Sequence, residues 1–510
     1  MAAQPEPGDD IAALAKGGRT NVLGFLLRLA ARLPFLFIAG RYYGADELGR
    51  FAYATIVIEF AAQLATMGLK RGLAHQLSTS DRDHACIVFD GLLAAFLASA
   101  AASAILMLFP GAMFPSGNIS GVERFLPLII FGIAGADVAL AALAYRRDVA
   151  ATVHVRALVE PWTLSIAAGA LIFVAPDEGL FIAYVASIAA GLLTALWRLF
   201  ASYGPPRGWQ PHPAELITVA RRNVPLAAAD AIEWGSRRLD IAILGLFVSP
   251  AVVGIYYVAQ NVASLPQKLK TSFDPILAPV ITQKLAEGDR KAVARQVRQV
   301  GFWIIAAQAG VALALGIPGE AVMGLVGPAY VGGNGALAFL LFAEVVAATA
   351  VVSEAALVYV ARHRNLLISL LMILVQALLT VAIILGVERL PVRVESVQAY
   401  QAAGAALALM LALGLSSILK ARLLCRLLEA PVQGWRWPLM WAAGGATVVG
   451  FVATQVPEWL ELAVGMPAIL VSFGIIVWYR GFTEEDRILF RKDGPETPTL
   501  PPPGTSRPID

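Results

Sequence analysis

Between about residue 20 and residue 480 the chain is a succession of apolar segments of roughly 20 residues separated by short polar turns. A segment of that length and composition crosses the hydrocarbon core of a bilayer as a helix, the conformation that satisfies all of its own backbone hydrogen bonds there. Fourteen such segments can be read: 20–40, 48–69, 86–109, 123–145, 154–175, 179–199, 219–247, 251–271, 297–317, 335–360, 365–387, 397–419, 437–456 and 459–479. The seventh is interrupted by charges and the eighth is polar in its C-terminal half, so twelve to fourteen crossings fit. The expected fold class is therefore all-α, a polytopic membrane protein with about 14 transmembrane helices.

Composition excludes most other classes. Hydrophobic residues make up 58% of the 510 positions, charged residues only 15%, and the mean hydropathy is +0.70. A disordered chain, a secreted disulfide scaffold or a soluble enzyme of this length would carry more charge or more cysteine. The net charge of +3 is too small to point to a nucleic-acid partner. Cys86 and Cys425, the two cysteines, fall at helix ends expected to be cytoplasmic, where neither a disulfide nor a thiolate metal site is anticipated. The opening MAAQPEPGDD is polar and acidic, unlike a signal peptide. Residues 1–18 and 481–510 read as disordered cytoplasmic tails, the second Pro-rich.

The distribution of Lys and Arg gives the orientation. With fourteen spans both termini share a side, and the loops on that side hold 29 Lys and Arg against 5 on the other. The positive-inside rule then places both termini in the cytoplasm. The longest loop on that side, 272–296, mixes basic residues with Leu285 and Val293 and reads as an interfacial amphipathic helix or a partner-binding surface.

An internal repeat organises the spans. AGRYYGADELGRFAYA from Ala39 resembles LGLFVSPAVVGIYYVA from Leu244 at an offset of 205, which pairs Gly40 with Gly245, Gly49 with Gly254 and Ala54 with Ala259. Asn21-Val22 similarly resembles Asn223-Val224. Six spans separate the copies, so both have the same orientation. The arrangement implies two six-helix bundles, 19–200 and 219–426, related by a pseudo-twofold along the membrane normal and joined by a cytoplasmic linker at 201–218. Two further helices fill 427–480.

Charges inside the membrane are the candidate functional groups. Asn21, Arg28 and Arg32 fall within a 40° arc of the first helix, and Asn223, Asp230, Trp234 and Arg237 form a similar stripe on the seventh, flanked by Glu233 and Arg238. An arginine at the bilayer centre costs roughly 2.5–3.5 kcal/mol on insertion scales, so a group of them implies a wet cavity or an internal partner. The guanidinium fork also suits phosphate. Arg28, Arg32, Arg237, Arg238, Asn21 and Asn223 are thus candidate substrate contacts. Glu59, Asp230 and Glu233 are candidates for coupling to a cation, proton or sodium, although any of them could be a counter-ion to an arginine instead. Arg156 and Glu160, four residues apart, are expected to pair with each other. The five histidines make no zinc spacing, and no P-loop or dinucleotide fingerprint occurs, so neither catalysis nor a cofactor is expected.

Three stretches resemble a known family. RTNVLGFLLRLAARLPFLFIAGRYYGADELGRFAYA, from Arg19, is similar to the opening of bacterial Wzx-like oligosaccharide and polysaccharide flippases. RRLDIAILGLFVSPAVVGIYYVA, from Arg237, resembles the opening of their second half, and LVGPAYVGG, from Leu325, resembles the turn before their tenth span. The resemblance covers about residues 19–420 and implies a V-shaped pair of six-helix lobes working by alternating access in the bacterial inner membrane. Its implied cargo is a polyprenyl-pyrophosphate-linked oligosaccharide, with the lipid tail left among membrane lipids and contact with the polysaccharide assembly machinery a further expectation. Arg28 and Arg32 match the cationic first-helix positions of such cavities. Two alternatives stay open. A membrane polymerase or glycosyltransferase would need a larger soluble loop, and a cation-coupled multidrug exporter would place its cationic drug against arginines.

Overall fold

The computed structural model describes residues 33–80, 82–115, 117, 119, 121–210, 213–270, 289–389, 391 and 393–483. Every regular element among them is helical. In chain order these are α1 (33–43, ending in a π-helical turn), α2 (Gly44–Ala65), α3 (Leu69–Thr79), α4 (His84–Leu108), α5 (Gly121–Tyr145), α6 (149–171), α7 (Gly179–Tyr203) and α8 (Pro213–Leu244). They continue with α9 (Pro250–Lys270), α10 (Arg290–Gly316), α11 (Gly319–Val326), α12 (Asn334–Val360), α13 (Arg362–Val387), α14 (Val394–Leu428), α15 (Pro438–Ala453) and α16 (Glu458–Gly481). Each expected span from 48–69 onward has a helix in its place, the described part of the first, 33–40, is helical, and among the described residues nine helical stretches are long and apolar enough to cross a membrane, the first of them, Leu33–Thr79, taking in α1 to α3. The protein is a multi-pass membrane protein.

Local chemistry sets the boundaries. The chain reverses between α1 and α2 at Gly44, whose φ of +84° an L side chain rarely adopts. Asp83, Asp148 and Asp289 cap α4, α6 and α10 by accepting backbone N–H bonds from Ala85, Ala151 and Ala292. Two helices were not visible as spans: α3, which carries Lys70 and Arg71, and the short α11 ahead of the Pro328–Gly333 turn. The 272–296 helix is revised at its end, because α10 already begins at Arg290; residues 271–288 lie outside the described ones.

In the first half α5 packs on α2, α4 and α7, and α6 lies against α7. In the second half α12 and α14 form the centre, flanked by α10, α13 and α9. The last two helices pack on α10, where Arg436 stacks 3.9 Å from the Phe302 ring and donates to the Gly481 carbonyl at 2.7 Å. The connection between the halves is fastened to the first by Trp209, whose Nε1 donates to buried Asp90 at 2.8 Å.

The halves meet chiefly where α2 lies on α9. A Cβ built on Gly49 would sit 2.8 Å from Gly254 N and overlap the Pro250 carbonyl; one on Gly254 would sit 3.0 Å from Gly49 N and overlap the Ala45 carbonyl. Residues 45 and 250, like 49 and 254, are 205 apart in sequence. The contact is therefore reciprocal, each glycine meeting the counterpart of its own neighbour, which is the signature of a local twofold axis.

Candidate functional site

The interface between the halves has two ends. At one, the α2–α9 contact is sealed by glycine and by a layer of larger side chains. A cavity of about 230 Å³ there is lined by Gly49, Arg50, Tyr53, Phe114, Phe247 and Pro250. Arg50 is not available to an anion, because its guanidinium donates to both Glu123 oxygens at 2.7 and 2.8 Å and to Glu47 at 3.1 Å. Nearby, the Tyr330 hydroxyl of the LVGPAYVGG turn donates to the Gly40 carbonyl at 3.3 Å, binding α1 to the second half.

At the other end, where α2 passes into α3, the interface is polar and basic. Arg71 Nε reaches Asp230 Oδ1 of α8 at 2.9 Å, Arg222 meets His75, and Phe60 stacks on Trp234 at 5.5 Å. Gly68 and Gly72 press on the backbone and side chain of Asn223. Asn223 is thus buried in the seam between the halves, and Asp230 is an inter-lobe ion-pair partner.

Between the ends, Arg237 is exposed, while Arg238 donates to Gln260 Oε1 at 2.8 Å. Gln260 in turn donates to Asp240 Oδ2 at 3.1 Å, and the Tyr256 hydroxyl does so at 2.6 Å. Asp240 is fully buried and steadies this chain of polar groups behind Arg238. The candidates Asn21, Arg28 and Arg32 lie outside the described residues, as does the side chain of Glu233. The structure brings Asn223 and Asp230 together on the α3–α8 seam and sets Arg237 and Arg238 two turns further along α8.

Glu59 faces a different set. Tyr184 of α7 donates to Glu59 Oε1 at 3.3 Å. Behind that pair, Arg156 bridges Asp137 and Glu160, the latter at 2.7 Å, and Lys70 Nζ lies 2.7 Å from Asp137 Oδ2. The Arg156–Glu160 pairing expected from their spacing is present, inside a network that spacing along one helix could not disclose. In the second half the buried Lys420 ammonium pairs with Glu354 at 3.1 Å. Among the described residues no group of three or more His, Cys, Asp or Glu side chains is arranged to hold a metal ion.

The helix arrangement is similar to that of solved transporters. A lipid II flippase, MurJ, in an inward closed conformation superposes with a TM-score of 0.66 at 12% identity, over 90% of this chain and 99% of that one. An inward-facing multidrug resistance transporter of the MATE family, in the MOP superfamily, gives 0.63 at 13% identity, over 79% and 95%. A MOP-superfamily transporter from Pyrococcus furiosus, described as having a binding pocket of reverse polarity, gives 0.55 at 13% identity, over 82% and 95%. No curated protein matches the sequence. The model of a family described as polysaccharide biosynthesis protein matches residues 39–314, a stretch that runs through the first lobe, the lobe contact at Gly49 and Gly254 and the opening of the second lobe. That match covers more than half of the 510 residues, and the chain belongs to this polysaccharide biosynthesis family, built on the MOP-superfamily transporter fold.

Proposed function

We propose that the protein moves a polyprenyl-pyrophosphate-linked oligosaccharide, a repeat unit of a surface polysaccharide, from the cytoplasmic to the outer leaflet of the bacterial inner membrane. The observation that carries this reading is the pairing of family and geometry. A polysaccharide biosynthesis protein has two lobes that touch through a reciprocal glycine contact at one end and through separable side-chain contacts at the other. Such an interface supports alternating access, in which one end parts while the other closes. The same fold serves a lipid II flippase, which supports a lipid-linked cargo here.

The arginine-rich helix faces supply the cargo site in this reading. Arg28, Arg32, Arg237 and Arg238 meet the pyrophosphate, the sugar fills the space between the lobes, and the lipid tail stays in the bilayer through a lateral opening. Both termini lie in the cytoplasm by the charge bias, which makes the Arg71–Asp230 end cytoplasmic and the Gly49–Gly254 end periplasmic. A cation gradient, of protons or sodium, drives the cycle through membrane carboxylates. The test is genetic and chemical: deletion of the gene should leave lipid-linked glycan exposed only on the cytoplasmic face, restored by the parent and not by Arg32→Ala. Normal translocation in the deletion strain would refute the assignment.

A further inference from the structure

Arg238 is held differently from Arg71 and Arg156. Arg71 bonds a carboxylate of α8 at 2.9 Å, and Arg156 bonds carboxylates of α5 and α6, the second of them, Glu160, at 2.7 Å. Arg238, among the described residues, bonds an amide: its Nη1 donates to Gln260 Oε1 at 2.8 Å. The carboxylate stands one step behind. Gln260 Nε2 lies 3.3 and 3.1 Å from the two oxygens of Asp240 and 3.5 Å from the Arg237 carbonyl. Asp240 and Tyr256 are fully buried, while Gln260 and Arg238 are half-buried, so the chain of contacts runs from a dry anchor to a partly exposed arginine.

This order fixes the polarity of the amide. An ionised carboxylate only accepts hydrogen bonds, and so does a carbonyl. The three oxygens around Nε2 therefore require the NH2 end of Gln260 there and turn Oε1 to Arg238, which only donates. The Tyr256 hydroxyl donates to Asp240 Oδ2 at 2.6 Å and holds the carboxylate in turn. Helix α8 could not make the link alone. Arg238 and Asp240 are two positions apart, about 200° around the helix, so their side chains leave it in different directions, and Gln260 of α9 bridges them. The interposed amide has a second effect. It fixes the guanidinium plane at one nitrogen without setting a formal charge against it, whereas a carboxylate at that distance would compete with an incoming phosphate.

We infer that Asp240, acting through Gln260, is a positioning residue for Arg238: together they fix the direction in which the guanidinium fork is presented to the anionic end of the cargo. What the fork meets rests on the proposed function; the hold on Arg238 does not, and the two are tested separately. The consequences of substitution follow from donors and acceptors. Asp240→Asn sets an NH2 group among the donors of Tyr256 and Gln260, which removes the requirement on the amide and frees Arg238. Adding Gln260→Glu gives that NH2 group an acceptor and gives Arg238 a carboxylate. The hold then returns, but with a negative charge set directly against the guanidinium.

The experiment uses the full-length protein in lipid nanodiscs. The first readout needs no cargo: the rate at which phenylglyoxal, an arginine reagent, modifies Arg238, followed by mass spectrometry of its peptide and referred to exposed Arg364. Asp240→Asn and Gln260→Leu should each raise this rate about tenfold or more, the worth of one hydrogen bond to a charged group. Tyr256→Phe disturbs Asp240 but leaves its contact with Gln260, and should stay near the parent. Asp240→Asn/Gln260→Glu should return to the parent's rate or below it. The second readout is affinity for undecaprenyl pyrophosphate. Asp240→Asn should weaken it about tenfold in the parent and add little in Arg238→Ala, since the effect passes through Arg238. Asp240→Asn/Gln260→Glu should stay weak, because its hold is a competing charge. Gln260 is half-buried, so Gln260→Leu keeps the test available if Asp240→Asn folds poorly. The inference is overturned if a well-folded Asp240→Asn or Gln260→Leu protein leaves Arg238 at the parent's rate, or if Tyr256→Phe frees it as much. It is overturned equally if adding Gln260→Glu fails to restore the hold, or if Asp240→Asn weakens binding as much without Arg238 as with it. A parent that does not bind undecaprenyl pyrophosphate would count against the cargo alone, and the phenylglyoxal rates would still decide the hold on Arg238.

Discussion

Replacing Gly49 by leucine tests the interface directly. A side chain there begins with a Cβ 2.6 Å from the Pro250 carbonyl carbon and 2.8 Å from Gly254 N, both backbone atoms of the opposing helix that cannot rotate away. Ordinary carbon–carbon contact begins near 3.5 Å, so α2 and α9 would have to part by about 1 Å before the rest of the leucine is accommodated. Overpacking of this kind costs about 1–3 kcal/mol. The cost falls only on the form in which the two helices touch. If that form and the parted one are otherwise near balance, the substitution shifts their ratio about 5- to 150-fold toward parting at the Gly49 end. The reporter is Val253→Cys in a background lacking Cys86 and Cys425: Val253 is buried beside the contact and becomes reachable when the helices separate. Gly49→Leu should speed its labelling by an impermeant thiol reagent by a factor in that range, with glycan export reduced because the end no longer closes. Gly254→Leu should do the same, and the double substitution should add little, since both disturb one contact. Gly444→Leu is the control, because nothing lies within 4 Å of a Cβ at that position. Unchanged Val253→Cys labelling in a Gly49→Leu protein of normal abundance would refute the idea that this contact opens and closes.

Arg32→Ala should cripple export at normal abundance, since losing one charge-assisted hydrogen bond costs about 1.5–3 kcal/mol, or 10- to 150-fold in cargo binding; Arg32→Lys should retain part of it, and normal export by Arg28→Ala/Arg32→Ala would remove these residues from the site. Cysteines at Ser116 and Glu178 should label from the periplasm and those at Arg146 and Ser202 should not; two positions labelling from the wrong side would break the fourteen-span map. Arg156→Ala strands Glu160 and leaves Asp137 to Lys70 alone, and should cost up to about 3 kcal/mol, seen as a lower unfolding temperature in detergent that Glu160→Gln partly restores. Trp209→Ala removes the bond to Asp90, and should speed proteolytic cutting of the 204–212 connection without loss of membrane insertion; resistance equal to the parent would show that the latch is dispensable.

The spans could be read because a bilayer imposes a length and an apolar composition on each helix. What escaped was set by packing instead. Helix α3 contains Lys70, Arg71, His75 and Gln76 and is too polar to register as a span, yet Leu69, Leu73 and Leu77 bury one face of it against the first lobe. Helix α10 starts at Arg290, earlier than hydropathy suggests, because Asp289 caps it and Val293 and Val297 are buried. The offset-205 similarity held the most structural information for its size. It singled out four of the 45 glycines, Gly40, Gly49, Gly245 and Gly254, and of these Gly49 and Gly254 meet across the interface because a residue near a twofold axis is opposed by its own counterpart.

The candidate site was less legible, for a reason the individual residues make plain. A stripe along one helix says which side chains share a face; it does not say what the face opposes. On α8 the single stripe from Asn223 to Arg237 divides into a buried seam residue, an ion pair with Arg71 and an exposed arginine, three different environments within four turns. Arg156 was correctly paired with Glu160, but its second carboxylate comes from α5 and the neighbouring lysine from α3, both distant in sequence. The same limit explains why Glu59 and Asp230, which looked alike as lone membrane carboxylates, part company in the fold. Asp230 has a cation across the lobe interface, so its charge is already answered when that end is shut. Glu59, among the described residues, accepts from the Tyr184 hydroxyl instead. Lys70 and Arg71, adjacent in the chain, turn to opposite halves, the first to Asp137 on α5 and the second to Asp230 on α8, a divergence that spacing along one helix does not disclose.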